Sequence, residues 1–286
     1  MDFVLSMLRE TALIPVVISV LVAAASSCFS KLECVGAIAL ACGFFAGWAS
    51  QDWATMKPAR YLDWLPYAAI LLAVAAVVSA GIPNKFKWLV QAAAVVLVTW
   101  LMVPSFPRLQ PTRPVATAMV AVLSWGLIQA SAGSQTQVPQ RVLVAGLMAM
   151  GTSVSLIMAQ SFGLKFAQIA GMLTAALAGA LIFRSERIVA GLTVVFLPLL
   201  CNLLFMGYAS SSSDVPWYSF AIVPLAVLCF RVYPKDSDQE KTRNCIFAGV
   251  LFALVLLSAV VPAVLAHPPW EEDLASNSAV SIVHVG

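Results

Sequence analysis

The sequence predicts an all-α integral membrane protein, a polytopic bundle of about ten transmembrane helices. Three observations carry this. Of the 286 residues, 61% are hydrophobic and only 10% charged, where a soluble domain carries about 25% charged residues. Mean hydropathy is +0.93. The apolar residues fall in runs of spanning length, and the 16 basic and 13 acidic residues fall between those runs or at their ends. This composition excludes a soluble enzyme, a nucleic-acid binder and a disordered chain, because no water-surrounded fold hides so much apolar side chain. In hydrocarbon the backbone must satisfy its own hydrogen bonds. The runs lack the alternation of a barrel strand, so they read as helices.

A spanning helix needs about 20 mostly apolar residues. The runs lie at 11–28, 34–50, 64–82, 88–104, 114–131, 142–160, 166–183, 188–208, 216–230 and 245–266. In the first, Pro15 is placed in the opening turn, where a missing N–H is tolerated. A cleaved signal peptide ending near Ala25 is the competing reading of this run. Cleavage would invert every later loop and put the basic segment 231–244 outside, against the positive-inside rule. The second run carries Gly36, Gly43 and Gly47 at helical spacing. The segment after it mixes Trp48, Trp53, Tyr61, Trp64 and Tyr67 with Asp52, Lys57, Arg60 and Asp63. It reads as a ligand vestibule, a docking surface or a short helix lying on the bilayer.

The sixth run holds Thr152, Ser153 and Ser155, and a very short turn leads to the seventh, with Gly171, Ala175 and Gly179 at four-residue steps. Such small-residue stripes let helix backbones approach closely, within one chain or across a homodimer. The eighth run carries Asn202 four residues after Pro198. Proline leaves the carbonyl of Val194 without its helical donor, and a buried amide needs partners. The pair predicts a kinked span with polar groups at mid-depth. Pro224 is placed in the first turns of the ninth run. Residues 1–266 form one transmembrane domain, and 267–286 are an acidic extramembrane tail.

The positive-inside rule orients the chain. Segment 231–244 holds Arg231, Lys235, Lys241 and Arg243, while 209–215 and the tail after His267 hold no Lys or Arg. Both termini are therefore placed outside, in a membrane of the bacterial cytoplasmic (inner) type. Trp48, Trp53, Trp64, Trp100, Trp217 and Trp270 then fall at the outer interface as anchors, with Trp88 and Trp125 toward the inner side. Ten spans divide into five plus five, which would make the halves an inverted repeat of a kind common in transporters. The signal is weak: Gly36 to Gly43 and Gly171 to Gly179 differ in spacing by one residue.

Catalytic chemistry is sparse. Intramembrane carboxylates and cations mark proton relays and ion pathways, and none falls mid-run. The two histidines, His267 and His284, lie at the end of the last span and in the tail. They suit neither haem ligation nor a serine hydrolase. The six cysteines lie in or beside apolar runs with no CxxC spacing and read as small hydrophobes. No catalytic residue, metal site or cofactor is expected, and an enzyme is disfavoured. The reading that remains is a permease for a small neutral or amphipathic solute. Asn202, Pro198, Thr152, Ser153 and Ser155 are its candidate substrate-binding residues. Gly43, Gly47, Gly171, Ala175 and Gly179 are candidate helix-packing positions. The competing reading is a non-catalytic, membrane-embedded subunit or scaffold of a larger complex. The expected partners are the lipid bilayer and either further copies or complex subunits, with no nucleic acid.

Overall fold

The computed structural model describes residues 6–27, 35–51, 57–58, 60–103, 112–134, 140–161, 163–181, 186–211, 215–232 and 238–266. Among the described residues there are ten apolar helices and no strand. They are α1 (Ile14–Ser27), α2 (Val35–Ala49), α3 (Leu65–Gly81), α4 (Asn84–Met102), α5 (Arg113–Ser134), α6 (Gln140–Gln160), α7 (Leu164–Ala180), α8 (Glu186–Ser210), α9 (Trp217–Leu225) and α10 (Asp238–Ala266). Each falls on one of the ten apolar runs. Seven of the helical stretches are long and apolar enough to cross a membrane. The apolar stretches of α2, α7 and α9 are shorter. The readings placed on Cys28, Cys34, Asp52, Trp53, Lys235, Trp270, His267, His284 and the acidic tail lie outside the described residues.

Two prolines sit differently from the expectation. The first spanning stretch begins at Ser6, so Pro15 lies inside a helix and not in its opening turn. The polar start remains helical, with Ser6 Oγ donating to Glu10 Oε1 at 2.9 Å. Directly before the proline the coil widens into a π-turn, Arg9–Leu13, where the N–H of Ile14 reaches back five residues to Arg9 O. Such a bulge absorbs a disturbed ladder. Pro224 closes α9 instead of opening it, and the chain then tightens into a 3-10 turn, Ala226–Val232. The missing proline N–H removes one α-helical bond at that point.

The bundle is organised around α8. This helix packs against α2, α3, α4, α5, α6, α7 and α9, and every position from 191 to 204 is buried. Within the bundle 83% of its spanning stretch is covered, against 28% for α4 and for α10. A helix apolar all round is stable in such a place. At the periphery, α10 exposes Val250, Leu254, Leu257, Val261 and Leu265 at three- and four-residue steps. An apolar stripe of that length on the outside of a fold is a surface made for lipid. Trp48 lies at the end of α2. It is fully buried, beside Phe45 at 6.3 Å between ring centroids, because it closes the end of α2 against the core.

Side-chain bonds tie helix ends together in pairs. Tyr61 Oη lies 3.0 Å from Ser210 Oγ, linking the start of α3 to the end of α8. Arg113 donates to Trp100 O at 2.8 Å, linking the start of α5 to the end of α4. The packing does not establish a repeat between halves: α1 against α2 and α6 against α7 correspond, but not every pair does. α1 packs on α7, whereas α6 and α2, the pair that a half-chain exchange relates to it, share no comparable interface among the described residues.

Candidate functional site

Pro198 and Asn202 lie one turn apart on α8, the buried axis, and Asn202 is only 1% exposed. Its Nδ2 donates to Pro198 O at 2.8 Å and to Thr99 Oγ1 of α4 at 3.3 Å. Its Oδ1 is buried with no hydrogen-bond partner. The amide therefore bridges a proline-weakened turn to a neighbouring helix and keeps one acceptor unspent. Thr99, fully buried, was missed by sequence reasoning. It is the one hydroxyl in the apolar stretch 92–103, which was the available signal.

The α6 hydroxyls do not join this pair. Thr152 is exposed and donates to Met148 O of its own helix at 2.9 Å. Ser153 donates to Ala149 O at 2.8 Å. Ser155 crosses to α7 and donates to Ala167 O at 2.8 Å. Hydroxyls that bond back to their helix are inexpensive in a membrane. α6 meets α8 elsewhere, where Gly207 admits the thioether of Met158.

The glycine stripes of α2 and α7 converge on α1. A Cβ added at Gly43 would collide with Ser19 Oγ and lie 2.6 Å from Pro15 O. One at Gly47 would collide with Pro15 Cγ, and one at Gly179 would lie 2.5 Å from Val16 O. Ser19, fully buried at this junction, donates to Ala39 O of α2 at 2.8 Å. Gly171 is different: its added Cβ would meet only Ser155 Oγ at an ordinary 3.8 Å. Ala175, one turn from it, is half-buried.

On the other side of α8 the packing opens. A cavity of about 750 Å³ lies between α5, α8 and α9. Its walls are residues within 116–123, 201–208 and 217–224, among them Met119, Leu204, Phe205 and Phe220. The lining is almost wholly apolar. Cys201 forms part of it and lies beside Ser124. Tyr208 packs on Phe220 at 5.9 Å and, with Trp217, marks the end nearest the helix termini. Sequence reasoning missed this space, because three alanine- and leucine-rich helices create it jointly.

The aromatic segment after α2 is described only in part. Tyr61–Trp64 form a 3-10 turn, with Asp63 Oδ2 accepting from Arg60 N at 2.9 Å. Among the described residues no group of three or more His, Cys, Asp or Glu is placed to hold a metal. No protein-family model matches the chain, and no curated protein matches it significantly in sequence.

Proposed function

We propose that this chain is a ten-span permease for a small neutral or amphipathic solute. Its termini face outward in a bacterial-type cytoplasmic membrane. The observation that supports the reading is the position of Pro198 and Asn202 on the helix that touches most of the others. A proline-weakened turn on the axis is a natural place for a bend, and discontinuous helices near mid-depth are where transporters bind solute. The unspent Oδ1 of Asn202 is the group offered to a donor on the solute. The short helices α2, α7 and α9 count as spans in this reading, shorter than the hydrocarbon and accommodated by local thinning of the bilayer.

The test is purification from the native membrane in mild detergent, followed by uptake of a labelled panel of neutral and amphipathic solutes into vesicles. The expected result is a particle containing this chain alone, and uptake that Asn202→Ala abolishes without altering yield or elution. Uptake unchanged in that variant would remove Asn202 as a solute contact. A second reading, a membrane-embedded scaffold subunit, is favoured by the bonded state of the Asn202 amide, which turns to Thr99 and Pro198. Stoichiometric co-elution with other subunits would establish that reading over the permease.

A further inference from the structure

We infer that the cavity between α5, α8 and α9 is a binding site for a single membrane lipid with an anionic headgroup, entered from one leaflet. Its dimensions point first to the occupant. The walls run through residues 116–123, 201–208 and 217–224. At 1.5 Å per helical residue each wall is about 10 Å tall, and the stretch from Arg113 to Leu123 about 15 Å. That is half of a hydrocarbon core roughly 30 Å thick. A partner's spanning helix would need a seat along the full thickness. A slot one leaflet deep fits a lipid chain.

The polarity of its two ends fixes the direction. All three walls finish on the same face: α5 begins at Arg113, α8 ends at Ser210 and α9 begins at Trp217. Below that face the lining is apolar. At it stand Tyr208, Trp217 and, one turn beyond Ala116, Arg113. The Arg113 guanidinium lies over the Trp100 ring at 4.6 Å and donates one hydrogen bond, to Trp100 O. Its Nε–H is buried without a partner. An arginine held flat on an aromatic ring with donors to spare suits a phosphate. Asp63, on the same face, is engaged with the backbone of Arg60. The site stands on the membrane placement of the helices and is independent of transport.

The test uses the purified full-length protein and native mass spectrometry with dioleoyl-phosphatidylglycerol or dioleoyl-phosphatidylcholine. Lipids carrying a photoactivatable acyl chain map the contact. The expected result is one retained phosphatidylglycerol per chain, preferred about fivefold, as one arginine near a membrane surface would give. Acyl crosslinks are expected within 116–123, 201–208 and 217–224. Arg113→Gln removes the preference and leaves the crosslinks. Ala221→Trp fills the slot and removes both. Should that variant fail to fold, Ala118→Trp, at an exposed wall position, takes its place. Crosslinks spread evenly over the outer stripes of α4 and α10 would overturn the proposal. So would equal retention of the two lipids, unchanged retention in the filled variants, or crosslinks to a second copy or another protein.

Discussion

The two flanks of α8 are built from similarly apolar helices and pack in opposite ways. Toward α1, α2 and α7 the backbones close on one another, with Gly43, Gly47 and Gly179 leaving no room for a methyl group. Toward α5 and α9 about 750 Å³ stays open. Hydrophobicity does not distinguish these regions, since lipid tails are as apolar as leucine and drive no helix together. Shape does. Glycine and serine at the crossing points allow backbone contact. Large side chains such as Phe205 and Phe220 line the other flank. The tight flank is the anchor of the bundle, and the open flank is where it can take a guest.

The largest expected effect breaks the tight flank. Gly43→Leu and Gly179→Leu should each destabilise the protein by about 3 kcal/mol, at the upper end of overpacking costs, read as unfolding free energy in bicelles. Normal stability of both would refute the close approach. Gly126, on α5, has nothing within 4 Å of the place a methyl group would take. Gly126→Ala should therefore stabilise by up to about 1 kcal/mol through helix propensity, in the same assay. A smaller effect sharpens the role of the axis. A double-mutant cycle of Thr99→Val with Asn202→Leu should give a coupling of about 0.6 kcal/mol, the average for hydrogen bonds between membrane helices. Ser19→Ala, which removes the bond to Ala39 O, should cost a similar amount, measured the same way.

The helical elements were legible in the sequence, since every apolar run became a helix with ends shifted by at most about seven residues, the start of α10 the most. So was the pairing of Pro198 with Asn202 on one helix. The centrality of α8 was not. In a soluble protein a helix apolar on every side announces burial, but in a membrane a lipid-facing helix such as α10 has the same composition. Thr152 shows the same ambiguity from the polar side. A hydroxyl that bonds to Met148 O looks, in sequence, like one that faces a solute. Gly171 and Gly179 share a stripe, yet only Gly179 meets a backbone. Which glycine is crowded depends on the crossing helix, and one-dimensional spacing carries no record of it. Arg113 is, in sequence, an ordinary span-end charge, and only the fold lays it over the Trp100 ring.

The contrast between the flanks is tested most directly by measuring the unfolding free energies of Gly43→Ala and Ala221→Phe side by side. The first adds a single methyl group, the second a whole ring. The account predicts that the methyl costs about 2–3 kcal/mol and that the ring, placed in the open slot, changes stability by less than about 0.5 kcal/mol. Equal costs, or a larger cost for the ring, would contradict it.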